Sequence, residues 1–371
     1  MVIARQSYTK KQMLDMLFAK TGSRKVKFRY DLLNRDNQKI TELKSIISGD
    51  VSFNSLAEIK RTAKFKIKED EQINWLNDRI QPFILFEMPD NNWVEFSMGI
   101  FIMSSPTRVY EDNVIVKNVD AYDLSLILKQ DKFTDRFAIS RGVKYYDAII
   151  KILCSAGIDI NDIDIQQTNK VLDRDIEFEI GTEKKIAINQ LLTEINYTSL
   201  FVDENGIFTS YQYISPSDRE VEITYQDDQF SVLYPDIQQE LDLFDIANVF
   251  TVVASNPDTL PLSYTYTNDN ANSITSTVSR GRKIVDYREI ENISDMNTLE
   301  NYVKRIAFEA SQVYGHVTFN TAIMPIHGYS NVLNLKDSKM GINDKYSETS
   351  WRIPLETGGK MQHTARKVVN V

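Results

Sequence analysis

The chain has 371 residues, a formal net charge of -9 at pH 7 and a pI near 5.1, with 42% hydrophobic and 26% charged residues. This composition supports a folded core, excludes a disordered chain, and leaves room for several domains at about 100–200 residues each. The acidic balance argues against bulk attraction to nucleic acid and leaves only local basic patches to consider.

At the N-terminus, Lys10 and Lys11 precede a short apolar stretch that contains Asp15 and lacks a small-residue cleavage site, so it does not read as a secretion signal. Residues 8–20 predict instead an amphipathic helix with Met13, Leu14, Leu17 and Phe18 on one face. It packs on its own domain or serves as an arm on a neighbouring subunit. No run of about 18 apolar residues occurs, so no transmembrane helix is expected.

From residue 25 to 120 the pattern is β. Val26, Phe28, Tyr30 and Leu32 alternate with Lys25, Lys27, Arg29 and Asp31. Further strands are expected over 40–43, 49–53, 63–68, 83–88, 93–103 and 113–119, with turn residues between them. In "RTAKFKIK", Lys64, Lys66 and Lys68 alternate with Ala63, Phe65 and Ile67, and "NSLAEIKRT" interrupts the strand before it. Close-spaced strands of this kind predict a small, mostly antiparallel barrel or sandwich ending near residue 130.

Helical periodicity follows. Ala148, Ile149, Ile152, Leu153 and Ala156 form one stripe, closed by Gly157, and Ile188, Leu191, Leu192 and Ile195 form another. A hairpin with an Asn205-Gly206 turn comes next, which makes residues 131–214 a small α+β module. Strands return over 220–290, including 248–255, 262–268, 273–279 and 283–290. A helix then carries Leu299, Val303, Ile306, Ala307, Ala310 and Val313, with Asn297 and Glu300 as a cap-like start and Gly315 as its close. The tail offers strands over 316–323 and 330–335, then a poorly periodic region from Lys336 that forms a final strand pair or a partly mobile end. Two β domains of similar size suggest duplication, although no residue-level repeat is visible.

Motifs for chemistry are scarce. His316, His327 and His363 show no H-E-x-x-H spacing and no tight cluster, so structural roles are expected. The sequence contains neither a phosphate-binding glycine loop nor a nucleophile elbow. Asp159, Asp162 and Asp164 lack the central Gly and terminal Glu of a calcium loop and read as a solvated face. The lone Cys154 sits in an apolar helical pattern and is expected to pack as a small buried hydrophobe. The 52 acidic residues supply many possible carboxylate pairs for glycoside hydrolysis, but nothing selects one. Lys25, Lys27, Arg29, Lys64, Lys66 and Lys68 suggest a basic sheet face, yet Phe28, Tyr30, Phe53 and Phe65 lie on the opposite side, where they cannot stack bases.

The segment "FRYDLLNRDNQKITELKSIISGDVSFNSLAEIKRTAKFKI" (28–67) resembles the start of baseplate hub, or tail-associated, proteins from phages and prophages of Gram-positive bacteria. "IANVFTVVAS" (246–255) and "GRKIVDYREIENISDMNTLENYVKRIAFEAS" (281–311) match that group at lower resolution. The resemblance implies a β-rich α+β protein with two tube-type antiparallel β-barrel domains and smaller α+β modules. It implies a homotrimer whose pseudo-six-fold ring links the tail tube or distal tail protein to a spike or tip protein, alongside the tape measure protein. It carries over no catalytic residue, cofactor or metal, and expects contact with phage DNA only in transit and no stable membrane insertion. The expected division is a helical arm (1–24), a first barrel (25–130), the α+β module (131–214), a second barrel (215–295), and a helix with completing strands (296–371).

A location in the virion tail follows, after assembly in the host bacterial cytoplasm. The candidate assembly residues are Asn54, Ser55, Leu56, Lys60, Arg61, Lys64, Lys66 and Lys68, with the 54–62 break either bending the strand or projecting a loop toward a neighbouring ring. Two alternatives stand beside this reading: a tail-associated cell-wall-degrading enzyme, and a receptor-binding or distal tail protein.

Overall fold

The structure, a computed structural model, describes residues 8–69, 73–241, 246–255, 261–290, 293, 295–311 and 315–368. Helix α1 (Lys10–Leu17) starts with a capping box: the Thr9 hydroxyl accepts from the Gln12 N–H while the Gln12 side chain accepts from the Thr9 N–H. Met13, Met16 and Leu17 sink into this chain's own core, so the helix packs on the protomer that carries it.

The first group of strands is β1 (Val26–Leu33), β2 (Lys39–Glu42), β3 (Ile46–Asn54), β4 (Arg61–Lys68), β5 (Arg79–Glu87), β6 (Trp93–Ser97), β7 (Phe101–Met103), β8 (Thr107–Glu111) and β9 (Val114–Asp123). The strand expected over 93–103 is two strands, because Gly99 takes a φ of +123° that ends β6. A Cβ there would stand 2.6 Å from Arg61 Cδ, so the break leaves room for that arginine. Between β8 and β9, Asp112 and Asn113 both adopt positive φ, the turn that suits the twist of a two-residue hairpin.

The α+β module follows: α2 (Leu126–Gln130), β10 (Phe137–Ile139), α3 (Tyr145–Ser155), β11 (Ile163–Ile165), β12 (Ile176–Phe178), α4 (Lys184–Glu194), β13 (Phe201–Val202) and β14 (Phe208–Ser210). The two predicted helical stripes pack face to face in a core of their own, and Leu33 and Ile100 of the first group of strands join it. This explains why the second half of β1 is buried on both sides and loses its expected wet face. Cys154 corrects the expectation of burial. It is exposed, because α3 turns Ile149, Ile152 and Leu153 inward and leaves position 154 facing water.

The remaining elements are β15 (Ile223–Gln226), β16 (Gln238–Leu241), β17 (Val249–Ala254), β18 (Leu262–Thr267), α5 (Thr277–Arg280), β19 (Val285–Ile290), α6 (Met296–Ser311), β20 (Gly315–Ala322), β21 (Val332–Asp337), β22 (Ile342–Pro354) and β23 (Lys360–Lys367). The strand expected over 273–279 is a turn followed by α5, because Ser276 caps a helical start instead of extending. Strands β17–β19 form a separate three-stranded sheet covered by α6. The cap of α6 is Asp295, whose carboxylate accepts from the Thr298 N–H at 2.8 Å, and not Asn297. Gly315 opens β20 rather than closing the helix, and Val313 lies outside the described residues. No described helix is long and apolar enough to cross a membrane.

The first group of strands and the last belong to one fifteen-stranded sheet, ordered β16-β20-β23-β22-β3-β4-β9-β7-β5-β1-β2, with β6, β8, β15 and β21 attached off this path. Its ladders are antiparallel apart from β15 on β21, so the protein is a β-rich α+β protein built on a large, mostly antiparallel sheet. The poorly periodic tail is thus a strand pair, and β22 lies near the centre of the sheet. Its residues 342–347 pair with β21, and Ser350–Pro354 pair with Asn54–Asp50 of β3. A register shift between Glu348 and Ser350 separates the two pairings.

At this join Trp351 stacks on Phe53, ring centroids 5.7 Å apart, and is 2% exposed. Trp351→Ala is expected to cost about 3–5 kcal/mol in urea unfolding. A loss below about 1 kcal/mol would show that the join carries little of the fold's stability.

Candidate functional site

The predicted assembly residues fall into two groups. Lys64, Lys66 and Lys68 project from the wet side of β4 while Ala63, Phe65 and Ile67 line the core, as the alternation requires. They do not form a free basic face. Lys64 lies 3.8 Å from Asp120 and Lys66 pairs with Glu111. On β1, Lys25 pairs with Glu87 at 2.5 Å, Lys27 stands 3.8 Å over the Trp93 ring, and Arg29 meets Asp31 and Glu95. Strands β9, β7 and β5 separate β1 from β4, so the six cations are not neighbours.

The break after β3 does not project as a free loop. The Asn54 side chain accepts from the Leu56 N–H at 2.9 Å, tightening the turn. Ser55 donates from both its backbone N–H (2.8 Å) and its hydroxyl (3.0 Å) to the carbonyl of Thr349, in the β22 shift. Leu56 points outward, 62% exposed. Lys60 and Arg61 turn inward. Lys60 Nζ donates to the carbonyls of Ser55 (2.7 Å) and Ala57 (3.3 Å), and burial with nearby Lys185 and Arg305 pulls its pKa down to about 8. The Arg61 guanidinium lies over Phe53 and Trp351 at 5.3 and 5.4 Å and donates to the Met98 carbonyl at 3.1 Å.

The same shift carries a cluster that spacing concealed. His327 and His363, 36 positions apart in a sequence that shows no histidine motif, meet at Glu348, and all three side chains are fully buried. His327 Nδ1 lies 2.6 Å from Glu348 Oε2, and His363 Nδ1 lies 2.7 Å from Oε1. The outer nitrogens are also occupied, His327 Nε2 by the Tyr225 hydroxyl (2.6 Å) and His363 Nε2 by Thr321 Oγ1 (2.8 Å). Thr321 gives its single proton to the Ala322 carbonyl at 2.8 Å, so His363 Nε2–H must be the donor in its contact with Thr321.

Counting donors then yields one directed chain. Tyr225 O–H donates to His327, His327 Nδ1–H donates to Glu348, Glu348 shares one proton with His363, and His363 donates to Thr321. Burial lowers His327 to about 3 and His363 to about 4 and raises Glu348, all favouring neutral forms. The donor set would suit a divalent cation, with the ligand atoms within 4.8 Å of one another. A dication on one carboxylate and two neutral imidazoles would leave a net positive charge in the core. Arg24, close enough to Tyr225 for their charges to interact, already has its pKa pulled to about 10 by burial. The hydrogen-bonded chain satisfies every group without that charge.

Glu348→Gln is expected to change stability by less than about 1 kcal/mol, since an amide can accept from His327 and donate to His363, while Glu348→Ala should cost about 3 kcal/mol or more. Equal losses in the two variants would mean that Glu348 carries a needed charge. The histidines, ordinarily near 6.5, bind protons in the unfolded chain before the folded one, so each lowers stability as pH falls from about 6.5 to about 4. Raised Glu348 acts with the opposite sign, because the folded state keeps a proton that the unfolded carboxylate releases above about 4.5. The network's net effect is about one proton, or about 1.4 kcal/mol per pH unit between about pH 6 and 4.5, rising toward two protons in Glu348→Gln. Urea titrations of both proteins across that range measure it, and identical slopes would contradict the assignment.

No protein-family model matches this sequence, and neither does any curated protein. Solved structures do resemble it. A tail protein from Neisseria meningitidis MC58 superposes with a TM-score of 0.65 at 12% identity, covering 93% of this chain and 97% of that one. The 43 kDa tail protein of prophage MuSo2 from Shewanella oneidensis gives 0.62 at 10% identity, over 92% and 98%. Prophage tail protein gp18 from Listeria monocytogenes gives 0.56 at 11% identity, over 91% and 94%. These hosts lie on both sides of the Gram division, so the expected Gram-positive origin gains no support. The fold of this chain, over nearly its whole length, is that of phage and prophage tail proteins.

Proposed function

We propose that the chain is a structural hub of a phage or phage-like tail baseplate, acting by assembly rather than catalysis. The observation that carries this reading is the end-to-end likeness to a tail protein, 93% of this chain on 97% of the other. In the proposed particle three copies close a pseudo-six-fold ring. The ring receives the tail tube or distal tail protein on one side and a spike or tip protein on the other, with the tape measure protein nearby and DNA passing only in transit. Spike association draws support from similar chains in a Francisella PdpA-VgrG complex (TM-score 0.54) and from an E. coli type VI secretion component (0.51) described as similar to the T4 tail proteins gp27 and gp5.

The proposal keeps the arm at 1–24, tube-type domains at 25–130 and 215–295, the α+β module at 131–214 and the completing segment at 296–371. Clean alternation on strands such as β4 supports it, because a ring wall needs one dry face and one wet face. Of the assembly candidates, Leu56, Lys64 and Lys68 are on the surface and remain available to a neighbour, while Lys60 and Arg61 are spent inside the protomer.

Light scattering with negative-stain imaging tests the ring. The expected result is a trimeric mass and a three-fold particle with a central channel. A monomer at high concentration, also in the presence of its tail neighbours, would sink the proposal, as would lysis on a peptidoglycan zymogram sink the purely structural role. Leu56→Glu is expected to keep unfolding stability within about 0.5 kcal/mol while weakening assembly.

A further inference from the structure

The loop after β3, the α+β module, α6 and the last strands meet around a cleft of about 690 Å³. That volume lies within the roughly 300–1,000 Å³ typical of clefts that hold ligands. Four cations line it, Lys60, Arg219, Arg305 and Arg366, against two carboxylates, Glu58 and Glu309. Both carboxylates are already engaged, Glu309 by Arg305 at 2.9 Å and Glu58 by Lys129 at 2.5 Å. Among the described residues Arg366 has no hydrogen-bond or close ion-pair partner; partial burial lowers its pKa, and only the charge of Glu309, already bonded to Arg305, acts against that. A half-buried arginine without an acceptor is costly unless something else supplies one.

The rest of the lining fits the same account. The positive charge of Lys185 and Arg305 helps hold Lys60 down, which marks a positive local potential in a chain of net charge -9. Tyr211, Tyr213 and Tyr329 supply apolar wall, with the Arg305 guanidinium 4.3 Å over the Tyr213 ring. With Arg219 paired to Glu222 at 2.5 Å and Arg305 to Glu309, the unpaired positive charges of the lining are Lys60 and Arg366, which matches a segment bearing two carboxylates. A nucleic-acid strand longer than the cleft would lay further phosphates against a chain whose net charge is -9.

We infer that this cleft is a docking site for an extended, carboxylate-rich segment of a partner protein, with Arg366 as its principal carboxylate anchor. The inference goes beyond the ring assignment and does not depend on it, since a monomeric chain that binds acidic peptide would keep this site and lose only the ring.

The test uses the full chain and hexaglutamate as probe, with hexalysine and a single-stranded oligonucleotide as comparisons, read by calorimetry or fluorescence anisotropy. Hexaglutamate is expected to bind, to weaken between about 50 and 300 mM salt, and to lose about tenfold in affinity in Arg366→Glu. Lys60, although its Nζ is held by the Ser55 and Ala57 carbonyls and cannot serve as a direct anchor, adds to the cleft's positive potential, so Lys60→Met should weaken binding in the same direction and by less, with thermal midpoints reporting whether each variant is folded. Absence of hexaglutamate binding overturns the inference. So does equal binding by folded Arg366→Glu and Lys60→Met, or tighter binding of the oligonucleotide.

Discussion

The sheet depends on β22 changing partners partway along one edge. Its first half pairs with β21 and its second half with β3, and the shift at Glu348–Ser350 lets one strand serve both without a break. A bulge of this kind bends a strand and disturbs its ladder, so its backbone groups need other partners. The loop after β3 provides them, with Ser55 donating twice to Thr349. Arg61, seated over Phe53 and Trp351 and admitted by the Gly99 turn, holds the same place from the other strand group.

The buried Glu–His chain sits at this point for a reason that follows from the geometry. A carboxylate at position 348 is buried wherever the shift puts it, and only a full set of donors makes that tolerable. His327 reaches it from the connection before β21 and His363 from β23, with their rings stacked on Tyr225 and Phe319. A one-residue slip of β23 against β22 would turn His363 away and strand the proton it shares. The network therefore specifies register as well as contributing contacts, the role for which buried polar groups are best suited.

Much of this architecture was legible in the amino-acid order. The alternation in 63–68, the two helical stripes at 148–156 and 188–195, and the Asn205-Gly206 hairpin all appear where local physics puts them, although the strand begins two residues earlier, at Arg61. What escaped was non-local. Residues 93–103 are apolar enough for one strand, and only a tertiary demand, space for Arg61, makes Gly99 a stop. The tail from Lys336 looked weakly patterned because β22 is flanked by different partners along its length, so its inward positions do not keep period two. The histidines carried no signal because their common partner, Glu348, lies between them on a strand whose placement could not be read. The assembly candidates were legible as a loop with a basic strand, but which of them face inward depended on the β22 shift.

The pairing of β3 with β22 also bears on how the chain reaches its native state. The strands that meet are separated by roughly 300 positions, so β3 keeps an unsatisfied edge until the last strands are made. Contacts of such range form late and leave earlier intermediates open to edge-to-edge association. During synthesis the first strand group and the α+β module can gather around their local contacts, but the sheet closes over β3 only at the end. Where many copies are made at once, that interval exposes identical edges to one another. Because β4 already occupies the other edge of β3, the danger is confined to one side, and it ends when Ser350–Pro354 dock there.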